Sequence, residues 1–218
     1  MRISVKNVSK SYNGEKVLKN VSFEVEKGEF LAIMGKSGSG KSTLLNIIGG
    51  FLHADEGEVL WDNENPINFS NNEIANKRCS EIGFVFQSFG LISTLTAREN
   101  AILPLSLGKK LTEESIEYLN LLAKSLEIDA FLDKYPSQLS GGQCQRVSIL
   151  RALAYKPDVV ILDEPTGALD TVTEEKVMKL LLEVNYKYKT TFILVTHSNK
   201  VASHARKVLL IKDGQIDK

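Results

Sequence analysis

Glu29-Phe30-Leu31-Ala32-Ile33-Met34-Gly35-Lys36-Ser37-Gly38-Ser39-Gly40-Lys41-Ser42-Thr43-Leu44-Leu45 is the stretch that decides how this chain folds. Phe30 to Met34 is continuously apolar and reads as a buried strand, whereas Leu44, Leu45, Ile47 and Ile48 recur at helical spacing. Between them, Gly35 to Ser42 matches the pattern GxxxxGK[ST] in the strand-before, helix-after context that gives this motif its meaning. The glycines let the backbone curl so that successive N–H groups point inward at phosphate oxygens, and the helix adds the positive end of its dipole. In such a loop Lys41 reaches the β- and γ-phosphates and Ser42 ligates Mg²⁺. The plain alternative, a Gly/Ser turn without a ligand, does not call for a buried strand on one side and a helix on the other.

Upstream, Val21, Phe23 and Val25 alternate with Ser22, Glu24 and Glu26, which predicts a half-exposed antiparallel strand, and Asn13-Gly14 and Lys27-Gly28 punctuate it. Gly57 to Trp61 reads as another short strand. From about Thr94 to Tyr155 the apolar residues recur at three and four, as in Ile116, Leu119, Leu122 and Leu126, which predicts a mostly helical insertion. Strand character returns at Val159-Val160-Ile161-Leu162 and at Thr191-Phe192-Ile193-Leu194-Val195. The helix-spaced Val177, Leu180, Leu181 and Val184 lie between them, a βαβ alternation that implies a parallel sheet. Val208 to Ile211, Asp213-Gly214 and Gln215-Ile216 read as a terminal hairpin. The expected class is therefore α/β: a mixed sheet of the P-loop NTPase type with an antiparallel N-terminal β subdomain and an inserted α-helical subdomain. One domain is expected over 1–218, with its core in 1–87 and 157–218 and the helical part at about 88–156. No regulatory domain is expected after the hairpin.

At 218 residues, 43% hydrophobic and 25% charged, the chain is long enough to bury a sizeable core. Its 27 Lys+Arg balance 27 Asp+Glu, so no overall positive field draws it to nucleic acid or acidic lipid. Cys79 and Cys144 have no CxxC or Cys/His spacing, which argues against a zinc site or a disulfide framework. The longest mostly apolar stretch, Leu44 to Leu52, is far below the roughly 20 residues of a membrane span. Direct membrane insertion is not expected, and any link to a membrane must run through a partner.

The loop alone does not distinguish a kinase, a GTPase and a motor ATPase. Val159-Val160-Ile161-Leu162-Asp163-Glu164-Pro165 is a buried strand ending in two carboxylates, which places them at the carboxyl edge of the sheet, where ligands bind in open α/β folds. Adjacent strand residues point to opposite sides, so the two carboxylates take different jobs: Asp163 supports Mg²⁺ and Glu164 polarises the water attacking the γ-phosphate. An acidic strand end merely solvated at the surface is the alternative.

Leu139-Ser140-Gly141-Gly142-Gln143 opens a helical run, and here the sequence resembles the ATP-binding cassette (ABC) ATPases, whose LSGGQ motif lies between a P-loop and an acidic strand. Ser140 can cap the helix while the two glycines let a phosphate approach backbone N–H groups. The resemblance implies that Ser140, Gly141, Gly142 and Gln143 address the γ-phosphate held by a second subunit, so that sites form only in an ATP-dependent head-to-tail homodimer. It further implies that Tyr12 stacks on adenine, that Gln87 joins the Mg²⁺ shell with Ser42 and Asp163, and that His197 contacts the γ-phosphate. Asp170, in Gly167-Ala168-Leu169-Asp170, would lie in the loop that crosses the dimer interface. The implied nucleotide contacts are Tyr12, Val17, Gly35, Ser37, Gly38, Ser39, Gly40, Lys41, Ser42, Thr43, Gln87, Asp163 and His197, with Glu164, His197, Lys41 and Gln87 in catalysis. His53 and His204 match nothing.

Val85-Phe86-Gln87-Ser88-Phe89-Gly90-Leu91, Leu95 to Asn100, and Pro165 to Asp170 are similar to the branch of lipoprotein-release, macrolide-export, cell-division and peptide-antibiotic-resistance ATPases. That likeness implies transmembrane permease partners, a peripheral place on the inner face of the cell membrane, and transmission of force. The alternative function is a signalling or scaffold module of the cell-division type. Soluble members acting on nucleic acid are disfavoured by the absence of a tandem cassette and of a basic surplus. Three positions depart from the family pattern: Lys36 in the loop, Cys144 after the motif and Ser198 after His197.

Overall fold

The computed structural model describes residues 1–217. Two sheets share the chain. The smaller is antiparallel, in the order β2-β1-β4, and is built from β1 (Ile3–Tyr12), β2 (Glu15–Val25) and β4 (Glu56–Trp61). The larger has six strands in the order β5-β6-β7-β3-β8-β9: β3 (Phe30–Met34), β5 (Ile82–Val85), β6 (Val159–Asp163), β7 (Thr191–Val195), β8 (Lys207–Lys212) and β9 (Gln215–Asp217). The first five of these in space run parallel, and β9 closes the edge as the antiparallel arm of a hairpin with β8.

The central strands read as unbroken apolar runs because both of their faces are buried. In β6, Val159 and Ile161 pack towards the small sheet and helix α1 (Lys41–Ile48), while Val160 and Leu162 pack towards the helices on the other side. In β7 the division is the same, with Ile193 and Val195 on one side and Phe192 and Leu194 on the other. The α1 side is fastened by Trp61, whose Nε1 donates to the Ile48 carbonyl at 2.8 Å.

Between β5 and β6 the chain contains α3 (Ala97–Leu107), α4 (Glu113–Ser125) and α5 (Gly141–Leu153) and no strand, and α6 (Thr171–Tyr188) makes the crossover from β6 to β7. A four-residue helix, α7 (Asn199–Ala202), follows β7 and is capped by Ser198, whose Oγ accepts from the Val201 N–H. The apolar periodicity does not reveal α2 (Asn71–Ser80), because none of its residues is buried. Its signal is a capping box, in which Ser70 and Glu73 each accept a hydrogen bond from the other's backbone N–H. The parallel register brings the carboxyl ends of β3, β5, β6 and β7 to one edge, and that edge carries the site.

Candidate functional site

A cavity of about 680 Å³ opens at this edge, within the size range of small-molecule sites. Its floor is the loop after β3. Gly35, Ser37, Gly38, Gly40, Lys41, Ser42 and Thr43 line it, and Tyr12 and Val17 from the small sheet form one wall. Gly40 has φ +95°, and a Cβ there would stand 2.8 Å from the Val17 carbonyl and from Leu18 Cδ2, so only glycine lets the loop enter α1 this close to β2. Lys41 Nζ donates to the carbonyls of Gly35 at 2.9 Å and Lys36 at 2.8 Å, which closes the loop and leaves one of its three N–H groups for a ligand oxygen. Tyr12 is 45% exposed, so its ring is free to stack.

Two residues of the loop point elsewhere. Ser39 is buried on the far side, where with Lys36, Leu210, Ile211 and Lys212 it borders a separate cavity of about 250 Å³. Lys36 is exposed and is not part of the main cavity wall, so its side chain faces solvent rather than the phosphate side of the loop.

The opposite wall comes from β6 and β7. Asp163 is the last residue of β6 and is buried, and its Oδ1 has no hydrogen-bond partner. Burial pushes its carboxyl above the usual carboxylate range; the nearby Glu164 charge adds to this, whereas the Ser42 hydroxyl and the Lys41 ammonium pull it back. A buried, unpaired carboxylate oxygen beside a serine hydroxyl is a hard oxygen donor set, and these residues fit a small divalent cation such as Mg²⁺. Gln87, exposed just beyond β5, faces the same cavity.

A carboxyl whose folded pKa lies above its unfolded value holds its proton more tightly in the fold. Its contribution to stability is therefore present at low pH and is lost as pH rises from the unfolded pKa through the folded one. Asp163→Asn is expected to raise the melting temperature of the ligand-free chain at pH 7 by about 2–4 °C, the shift that roughly 1 kcal/mol gives at this size. The gain should shrink towards pH 4, and a lower melting temperature at pH 7 in a fluorimetric scan would contradict this balance.

Glu164 follows in the left-handed region at φ +49°, an uncommon conformation for a non-glycine residue that costs of order 1–3 kcal/mol and clusters at active sites. It is held there by its N–H, which donates to the Val195 carbonyl at 3.1 Å, and by its carbonyl, which accepts from the Gly167 N–H at 3.2 Å. Its side chain lines the same cavity as that of Asp163 and meets His197, whose Nδ1 lies 3.0 Å from Glu164 Oε2. The carboxylate is 16% exposed and the imidazole 75%, so a sheltered carboxylate is paired with a ring open to the cavity.

The segment 140–143 is not part of this wall. Ser140 caps α5 in a capping box with Gln143, its Oγ accepting from the Gln143 N–H at 3.3 Å and its own N–H donating to Gln143 Oε1 at 2.8 Å. Gly141 and Gly142 lie against Ala168 and leave the helix N-terminus at the surface. Asp170 is likewise outside the cavity and caps α6, with Oδ1 accepting from the Val172 and Thr173 N–H groups at 3.0 Å each. Cys144 is buried, and burial pushes its thiol up rather than down despite the helix start.

Phe89, Gln145, Gly167, Ala168 and Val195 complete the lining, and of these the sequence reading passed over Phe89, Gln145 and Val195 as site residues. Phe89 stands at φ +64°, held by Arg151 of α5, whose guanidinium donates to the Phe89 carbonyl at 3.0 Å and the Gly90 carbonyl at 2.6 Å. No motif announces that clamp, since Arg151 lies 61 residues from Gly90 and meets it only in the fold.

Comparison with known proteins places this geometry. The family model described as ABC transporter matches residues 18–167. The ABC transporter ATP-binding protein YxdL of Bacillus subtilis is 43% identical over 217 residues, spanning 98% of this chain and 84% of the relative. The lipoprotein-releasing system ATP-binding protein LolD of Francisella tularensis is 41% identical, spanning 99% of this chain and 95% of the relative. Among solved structures, the ATP-binding cassette MJ0796, described as a dimer in a post-hydrolysis state bound to ADP and Pi, superposes with a TM-score of 0.93 at 42% identity. The superposition covers 99% of this chain and 97% of that one.

Proposed function

This chain belongs to the ABC transporter ATP-binding family, and from that premise we propose that it is the ATP-hydrolysing subunit of a membrane system, working in pairs and driving transmembrane permease partners. The observation that carries the reading is the convergence of Lys41, Ser42, Gln87, Asp163, Glu164 and His197 from four strand ends around one cavity.

In this reading Tyr12 and Val17 take the adenine side. The loop N–H groups of 35–43 and Lys41 take the phosphates, with Ser39 contributing backbone rather than its inward-turned hydroxyl. Ser42, Asp163 and Gln87 would hold Mg²⁺, which supplies charge neutralisation on the phosphate oxygens when bound. Glu164 accepts a proton from water as the water oxygen bonds to the γ-phosphorus, and the bond to the β–γ bridging oxygen breaks with its electron pair leaving on ADP. His197 fixes the orientation of that carboxylate and reaches the γ-phosphate. Ser140, Gly141, Gly142 and Gln143 face away from their own cavity, which supports a head-to-tail pair in which each copy supplies this helix start, alongside Asp170, to the other's nucleotide.

Among the described residues no helix is long and apolar enough to cross a membrane. Relatives named as ATP-binding subunits of transport systems support a peripheral place on the inner face of the membrane, held there by the permease partners. The coupling surface is assigned to Phe86–Asn100. There Ile92 is 42% exposed, Phe86 packs in an aromatic cluster with Phe51 and Phe84, and buried Asn100 ties the loop by donating to the Ile92, Leu95 and Thr96 carbonyls. Relatives named for lipoprotein release, macrolide export and bacitracin export support a force-transmitting task of one of these kinds.

Phosphate release by the purified chain tests the paired site. The rate is expected to require Mg²⁺ and to rise more steeply than linearly with protein concentration until the pair saturates. No release at any concentration, or strictly linear release, would contradict the reading.

A further inference from the structure

Gln145 is one of the few fully buried polar side chains of the molecule, at 1% exposure, yet its Nε2 has no hydrogen-bond partner. It lies on α5, five residues after the Ser140 cap, on the side that borders the nucleotide cavity. The same cavity is lined by the strand-end turn of Glu164, Gly167 and Ala168 and by the segment carrying Gln87 and Phe89. A buried amide donor without an acceptor destabilises the chain relative to an apolar residue of similar volume, so packing alone does not account for a glutamine here. The other large side chains on this helix that face its core, Val147, Ile149, Leu150 and Leu153, are apolar.

From this placement we infer that Gln145 is a positioning residue for hydrolysis: its amide finds its acceptor on the 164–168 turn when nucleotide draws α5 against the strand end, and thereby sets the angle of the Glu164 carboxylate. The turn is suited to that job. Glu164 is held at positive φ by only two backbone hydrogen bonds, and the Ala168 carbonyl already lies against the first turn of α5, 3.1 Å from where a Gly142 Cβ would be. Gln145 thus links the helix whose start serves the second copy to the base that serves its own nucleotide. A hydrogen bond made only in the loaded state costs stability in the free chain and appears as rate, which is the trade that functional sites make.

The inference rests on the ATPase reading, and the test separates the two. Gln145→Leu keeps the volume and removes the amide. Three quantities are measured on it and on the unaltered chain: melting temperature without nucleotide, ATP affinity by calorimetry, and kcat and KM for ATP hydrolysis. A positioning role predicts kcat down about tenfold, KM and ATP affinity within threefold, and a melting temperature unchanged or higher. Unaltered kcat in Gln145→Leu overturns it. So does a lower melting temperature with activity falling in step and recovering on cooling, since that marks a packing residue. Gln145→Met, equally apolar and more adaptable in shape, should repeat the loss of kcat, and full activity in it would also overturn the role. If the unaltered chain hydrolyses no ATP, the ATPase reading itself fails, whatever the variants do.

Discussion

Glu164→Gln is expected to lower steady-state ATP hydrolysis by about 10²–10⁴-fold, the range that a general base contributes, while leaving ATP affinity within a few-fold. The substitution keeps the shape of the side chain, the backbone bonds to Val195 and Gly167, and a hydrogen-bonding group 3.0 Å from His197 Nδ1, so the turn has no reason to collapse. What it removes is the ability to take a proton. On the proposed cycle, in which hydrolysis reopens the pair, the variant should accumulate as an ATP-dependent dimer, read by light scattering after size exclusion, where the unaltered chain runs as a monomer. Normal turnover in this variant would remove Glu164 from the mechanism and leave its strained backbone unexplained.

Lys41→Ala is expected to weaken ATP binding by about 10- to 100-fold, the loss corresponding to a charge-assisted hydrogen bond of roughly 1.5–3 kcal/mol. The effect has two sources. The ammonium no longer meets phosphate, and the loop loses the cross-ties at 2.9 and 2.8 Å from Nζ to the Gly35 and Lys36 carbonyls. Both act on binding, so calorimetry is the direct check. Unchanged affinity would count heavily against the phosphate-loop assignment.

How much of this could be read from the sequence depends on whether a feature is local. The strand-loop-helix at 29–48, the acidic end of β6 and the β6-α6-β7 unit are contiguous, and each leaves a compact pattern. The helical insertion was legible too, from apolar residues recurring at three and four, and the family resemblance then carried the roles of residues such as Tyr12, Gln87 and His197. What stayed hidden is assembled across the chain. Gln145 is an ordinary polar residue after a glycine-rich helix start until the fold buries it beside the 164–168 turn. Phe89 reads as one apolar residue among several, and only the clamp from Arg151 explains its positive φ. Ser39 illustrates the opposite limit: the motif groups it with its neighbours, but a loop that curls must turn some side chains inward, and this one faces the cavity beside Ile211. Helix α2 escaped because none of its residues is fully buried and Ile74 is its one apolar contact with the core, so hydrophobic periodicity had no stripe to detect and only the Ser70 and Glu73 cap marked it.

The most direct test of the central claim, that ATP bound at this sheet edge drives a membrane partner, is to tag the Glu164→Gln chain in its native cell, solubilise membranes gently with ATP present, and identify what co-purifies by mass spectrometry. The account predicts a multi-span permease recovered in stoichiometric amount and lost when Lys41→Ala is added. A stable ATP-dependent homodimer with only soluble partners would contradict it, leaving the chemistry of the site in place and pointing to a signalling module instead.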